Sequence, residues 1–302
     1  MALSSNARGA ICMSVAMASF TCNDALVKSV TPFANVGQIM FVRGVLTTAL
    51  VFLIAWRMGA LRHPRVVLQP MILLRLAMEL IATVTYVSAL GLVPLGNAAS
   101  ILQALPLAVT LGAALFLKQP VGWRRWSAII TGFIGVLIIV RPGPDGFALP
   151  ALLVLLGMFA SAVRDLITHR IHADVPSLTI TAYTVLASTL LGGLLIQPMG
   201  GWHPMNGTTV SHLALASLFV LSGYQMLILA MRSGEISFVA PFRYVSLLWA
   251  IGIGLVFFGE IPDVWMLIGA AIVIASGLYT FYRENKRRSM AMAQQSSPAT
   301  SH

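Results

Sequence analysis

Apolar runs of membrane-crossing length recur along the chain, each closed by a short cluster of Pro, Gly or charged residues. Ten of them are predicted as spans, at about 10–29, 36–56, 70–90, 95–117, 125–141, 149–168, 177–197, 209–231, 236–259 and 263–282. A helix crosses the hydrocarbon core with roughly 20 apolar residues, so each run suffices. The connections are short, as at Thr31–Pro32, Pro94–Leu95–Gly96, Arg141–Pro142–Gly143–Pro144 and Gln197–Pro198–Met199–Gly200–Gly201. None is long enough for a soluble domain. The segment from Asn285 to His302 turns polar and then Ser/Ala/Gln-rich, and residues 284–302 read as a disordered cytosolic tail.

The pattern repeats. Displaced by about 141 residues, Phe20–Lys28 (FTCNDALVK) falls on Ser161–His169 (SAVRDLITH), with Asp24 on Asp165. Ala89 falls on Ala230 and Ala99 on Ala240; one residue further, Pro120, Trp123 and Gly135 meet Pro262, Trp265 and Gly277. Residues 8–141 and 149–283 each hold five spans, so the second half enters the membrane upside down. The predicted fold is an all-α polytopic membrane protein of ten transmembrane helices in two inverted-topology five-helix repeats.

Composition agrees: the chain is 58% hydrophobic and 9% charged, with mean hydropathy +0.88, more apolar surface than a soluble protein of this size can bury. The net charge of +10 does not call for a nucleic-acid partner, because its placement has a membrane explanation. With the N-terminus inside, fourteen of the nineteen Lys and Arg fall on the inner side. They are Arg8, Arg57, Arg62, Arg65, Lys118, Arg124, Arg125, Arg164, Arg170, Arg232, Arg283, Lys286, Arg287 and Arg288. Only Lys28 and Arg141 fall outside, and Arg43, Arg75 and Arg243 lie within spans. Both termini are expected in the cytoplasm by the positive-inside rule. Asn23, Asp24 and Lys28 in the first run mark it as a retained span rather than a cleaved signal. Cys12 and Cys22, ten residues apart on that helix, are about 15 Å apart and cannot pair.

Three stretches resemble a known family: VAPFRYVSLLWAIGIGLVFFGEIPD (Val239–Asp263), VGWRRWSAIITGFIGVLIIVRPG (Val121–Gly143), and AMASFTCNDALVKSV (Ala16–Val30), which looks like the opening of alphaproteobacterial members. They are similar to EamA-type transporters of the drug/metabolite transporter superfamily, and the resemblance runs over about residues 8–283. It implies two EamA repeats, an inner-membrane location and a central substrate cavity. One departure stands out. Such repeats often end their fourth helix in Gly-Glu; the second half has Gly259–Glu260, whereas the first has Leu117–Lys118.

Charges inside spans cost roughly 2.5–3.5 kcal/mol each on insertion scales, which makes them functional candidates. Asp24 and Arg43 lie about 8–10 Å deep on neighbouring spans. They read either as an outer gate or as a static pair, with Lys28 as a competing partner. Asp165 and Arg243 would form a mirrored inner pair, unless Asp165 pairs locally with Arg164 or His169. Arg75 and Glu79 share a helix face and read as a self-neutralised pair, or Glu79 as a proton-binding carboxylate. Tyr86, Gln103, Tyr183, Tyr224, Gln225 and Trp249 can line a site for a flat ring, or serve as helix–helix hydrogen bonds. Trp56, Trp123, Trp202 and Trp265 fit interfacial anchors.

The sequence carries no phosphate-binding G-x-x-x-x-G-K-[ST], no metal-spaced cluster, and no G-x-S-x-G or H-E-x-x-H. No cofactor is expected. The expected partners are a small-molecule substrate and the lipid bilayer; a homo-oligomer is compatible with the sequence but not required. The reading is a secondary transporter working by alternating access, with riboflavin uptake as the specific expectation. Export of amino acids, aromatic ones included, or of other metabolites or drugs is the alternative, and a membrane-embedded enzyme or a channel the remoter ones.

Overall fold

Ser4 and Asn35 start the first two helices: their side-chain oxygens accept from the backbone N–H groups of Ala7 (3.2 Å) and Gln38 (2.8 Å). Pro70 opens the third from its first turn, where a missing N–H is harmless. A computed structural model describes residues 4–59, 68–118, 122–141, 149–168, 170–171, 177–233 and 235–296. In chain order the helices are α1 Ser5–Val30, α2 Val36–Arg57, α3 Pro70–Leu90, α4 Leu95–Leu102, α5 Leu105–Phe116, α6 Trp123–Val140, α7 Leu149–Thr168, α8 Ser177–Leu195, α9 Gly207–Ser233, α10 Ile236–Val239, a 3-10 turn Ala240–Tyr244, α11 Val245–Phe258 and α12 Val264–Ser296. Among the described residues there is no strand. Ten segments of the described residues have the length and hydropathy of a span, so the protein is an all-helical, multi-pass membrane protein.

Two expected spans are broken. The run 95–117 divides at Gln103–Ala104, just before Pro106, into α4 and α5. The run 236–259 divides into α10, the 3-10 turn containing Pro241, and α11. Proline withholds the N–H that would continue each helix ladder. A 141-residue displacement carries Gln103–Ala104 onto Tyr244–Val245, the end of the 3-10 turn. The breaks are therefore repeat mates.

Packing follows the same symmetry. The most extensive contacts join α1 with α9, α3 with α7, α2 with α8, and α6 with α12. The repeat makes mates of α1 and α7, α2 and α8, α3 and α9, and α6 and α12. The contact pattern thus maps onto itself under exchange of the halves, as an inverted repeat requires. Met13, Ile39, Met40, Leu90, Leu95, Ile101, Leu107 and Met158 fill the interior. Leu53, Ile54, Phe116, Ile130, Leu194, Val256 and Phe257 are exposed. On helices of this length, such an apolar exterior is a lipid-facing surface.

The α2–α8 contact is close enough to exclude a methyl group. A Cβ on Gly37 would lie 2.7 Å from the Ile196 nitrogen and 2.8 Å from the Gly192 carbonyl oxygen. These are backbone atoms and cannot turn aside. Gly37→Ala is expected to cost about 1–3 kcal/mol by overpacking, read as a lower melting temperature of the purified protein in detergent. An unchanged melting temperature would show that the two helices are not in close contact.

α12 continues to Ser296, so residues 284–296 are helical where a disordered tail is expected. Apart from Asn285, Ser289 and Ser296 the stretch is Glu, Lys, Arg, Met, Ala and Gln, all strong helix formers, with no Gly or Pro. Residues 297–302 lie outside the described residues, as do Arg62, Arg65, Pro120, Pro142–Pro144, His63, His169 and His172. Cys12 and Cys22 are free thiols.

Candidate functional site

Two cavities flank α7 and are divided by the break in the α4–α5 segment. The smaller, about 180 Å³, is lined by Leu102 and by Asp24, Arg43, Glu79, Tyr86, Ser161 and Arg164 among others. The larger, about 480 Å³, is lined by Leu105, Pro106, Asp165, Thr168, Arg243 and Thr280 with their neighbours. Its α7 and α12 residues come from the last turns before Thr168 and Arg283, so it lies in the half of the bundle nearer the chain ends. Gln103, at the break, donates from Nε2 to Ser246 Oγ at 2.7 Å, next to the repeat-related break. Each broken helix thus holds the other at its irregular turn, where discontinuous transporter helices line their sites.

In the smaller cavity Asp24 accepts two hydrogen bonds, from Tyr86 Oη (2.8 Å) and Asn23 Nδ2 (2.9 Å). Arg43 Nη1 donates to Asn23 Oδ1 at 3.2 Å. Asp24 and Arg43 come together as the sequence indicates, but through Asn23: no direct ion pair joins them within 4 Å. An intervening carboxamide satisfies both charges while holding them apart.

The Arg75–Glu79 pair is not formed. Glu79 Oε2 takes Nη1 of Arg164 at 2.8 Å, from the facing helix α7. Arg75 reaches across instead, donating to Thr168 Oγ1 and Thr184 Oγ1, each at 3.0 Å. The physical reason is Arg164. It also donates from Nε and Nη2 to Asp165 Oδ1, at 2.9 and 2.7 Å, so one guanidinium satisfies two carboxylates. That is worth more to Glu79 than a surface-type pair with its own helix. Read from sequence as a loop-side charge, Arg164 is instead the hub between the two cavities. Asp165 thus pairs locally; Arg243 faces the same larger cavity, but no ion pair within 4 Å joins them.

The remaining sequence candidates divide. Tyr224 packs edge-on against Phe20, ring centroids 5.2 Å apart, and is half exposed. Gln103 is a helix–helix hydrogen bond. Tyr183 lies edge-on to Phe52 at 6.0 Å, while Gln225 and Trp249 are exposed. Like Tyr224 and Gln103, these three line neither cavity, so of the uncharged candidates Tyr86 alone is among the named lining residues. A polar or aromatic residue at mid-span depth has no direction until its helix has neighbours.

At the end of the bundle away from the chain ends, Lys28 Nζ meets Glu260 Oε1 at 2.7 Å and donates to the Val93 carbonyl at 2.5 Å. Glu260 Oε2 accepts from the Leu95 N–H at 2.7 Å, capping α4. Both side chains are largely buried, at 10% and 19% exposure. The sequence marks this lock only by the Gly-Glu ending. Gly259 takes φ +65° to end α11, which turns Glu260 back toward α4. In the first half the same left-handed position is held by Lys118, φ +50°, so the acid of the lock has no repeat mate.

Comparison with known proteins agrees with this architecture. The profile of the EamA-like transporter family matches twice, over residues 7–141 and 148–282. A riboflavin transporter of Rhizobium johnstonii is 31% identical over 216 residues, 71% of each chain. A riboflavin transporter of Vibrio cholerae is 34% identical over 197 residues, 65% of each chain. An S-adenosylmethionine uptake transporter of Rickettsia conorii is 27% identical over 65% of this chain and 66% of its own. A crystal structure matches with TM-score 0.62 over 93% of this chain and 98% of the other, at 17% identity, and shares the fold.

Proposed function

Because this chain belongs to the EamA-like transporter family, we propose that it is a secondary transporter that carries riboflavin into the cell across the bacterial inner membrane by alternating access. The observation that carries the transport reading is the meeting of two repeat-related helix breaks at Gln103–Ser246, with polar cavities on either side of α7. Its relatives are named as transporters rather than enzymes. Riboflavin is supported by the relatives from Rhizobium and Vibrio. The larger cavity, at 480 Å³, falls within the ~300–1,000 Å³ of small-molecule sites.

The Lys and Arg bias supports placing both chain ends in the cytoplasm. The larger cavity then opens inward, and the Lys28–Glu260 lock lies on the periplasmic side.

Expression of the chain in a riboflavin auxotroph is the direct test. It should restore growth at limiting external riboflavin and give saturable uptake of labelled riboflavin. Absence of both, with the protein present in the membrane, would sink the substrate. Saturable transport of an amino acid in the same vesicles would favour the exporter reading instead.

A further inference from the structure

Two charged side chains line the larger cavity without pairing with each other. Arg243 lines it from the 3-10 turn, and its exposed side chain makes no hydrogen bond or ion pair with any described residue. The next residue, Tyr244, is outside the lining: its hydroxyl is buried against Gly277. Across the cavity, the two hydrogen bonds that Asp165 receives from Arg164 both end on Oδ1, leaving Oδ2 an unused acceptor among the described residues. A free guanidinium on one wall and an unused carboxylate oxygen on another describe a ligand edge that offers an acceptor beside a donor.

We infer that Arg243 and Asp165 form the recognition site for the imide edge of a flavin ring. This rests on the riboflavin reading. The imide presents two carbonyl oxygens either side of one N–H. Arg243 donates to a carbonyl, and Asp165 Oδ2 accepts from the N–H. Both contacts are charge-assisted, which gives them strength and direction. The opposed charges of Arg243 and Asp165 stay apart in the empty cavity, so the ligand does not first have to break an ion pair.

Uptake of labelled riboflavin into proteoliposomes holding the full chain, with riboflavin and N3-methylriboflavin as unlabelled competitors, tests this. The methyl group removes the donor and leaves the carbonyls, so N3-methylriboflavin should compete at least about tenfold more weakly. Arg243→Gln should raise KM for riboflavin by a similar factor. Asp165→Asn should bring the ratio between the two competitors close to one, whereas loss of a merely structural contact would weaken both alike. Equal competition on the unaltered chain overturns the inference while leaving riboflavin as substrate. An unchanged ratio in Asp165→Asn overturns it too. No riboflavin uptake by the unaltered chain removes the reading on which it rests, and the inference with it. Should Asp165→Asn fail to reach the membrane, the competition ratio of the unaltered chain and the Arg243→Gln KM still decide.

Discussion

Arg164→Met should destabilise the protein by about 3 kcal/mol and lower transport at least tenfold. The substitution keeps an unbranched side chain of similar bulk and removes its charge, stranding Glu79 and Asp165. Both carboxylates are partly shielded, at 19% and 35% exposure. Removing one partner of a buried ion pair is the costly operation, at roughly 3–5 kcal/mol; removing all the charges together is often close to neutral. Partial access of Asp165 to the cavity places the estimate at the lower end.

The triple variant Glu79→Gln/Arg164→Met/Asp165→Asn should therefore recover most of the stability lost by Arg164→Met alone. It should not recover transport, because the hub between the cavities is gone. Melting temperature in detergent separates the variants, with a fall of several degrees expected for the single change. If Arg164→Met melts with the unaltered protein, the bridge from α3 to α7 is not made. If it melts lower but transports normally, the hub is structural only.

The span count, the inverted repeat and the nearness of Asp24 to Arg43, though not a direct pair, were legible because each rests on a pattern along the chain. Run length, a fixed displacement and depth within a run all survive without knowing which helix neighbours which. What failed were statements about direction. Lys28 and Arg164 sit near the ends of their runs, where a positive charge reads as a loop residue. Both instead turn inward to carboxylates on other helices. Glu79 obeyed the i,i+4 spacing in sequence but found a better partner on α7. Tyr183 and Trp249 point away from the cavities although their types suit a ring-binding site. The helix breaks fall between these cases. Pro106 and Pro241 were visible, but apolar length reads straight through them, and only the structure shows that the two breaks coincide across the repeat.

Glu260→Gln should open the end of the bundle that the lock holds shut. Lys28, Glu260, the Val93 carbonyl and the Leu95 N–H together tie the end of α1 to the α3–α4 connection and to the end of α11. Lys28 also lies over the Phe258 ring, 5.5 Å from its centroid. The glutamine can still accept from Leu95, so α4 keeps its cap, but Lys28 loses its counter-charge. A hydrogen bond between charged groups contributes about 1.5–3 kcal/mol, and every 1.4 kcal/mol is tenfold in a two-state equilibrium. In alternating access the population open at this end should thus rise roughly tenfold or more. Leu90, buried at 1% and lining the smaller cavity, is a suitable reporter. With Cys12 and Cys22 replaced by Ser and a cysteine placed at position 90, a membrane-impermeant maleimide added on the side of the membrane nearer the Lys28–Glu260 pair should label Glu260→Gln about tenfold faster. Lys28→Met/Glu260→Gln should label at a similar rate, since the same contact is absent, while Lys28→Met alone should leave an uncompensated carboxylate and express poorly. Equal labelling with and without Glu260 would mean that the pair fastens the helix ends in every state and does not take part in gating.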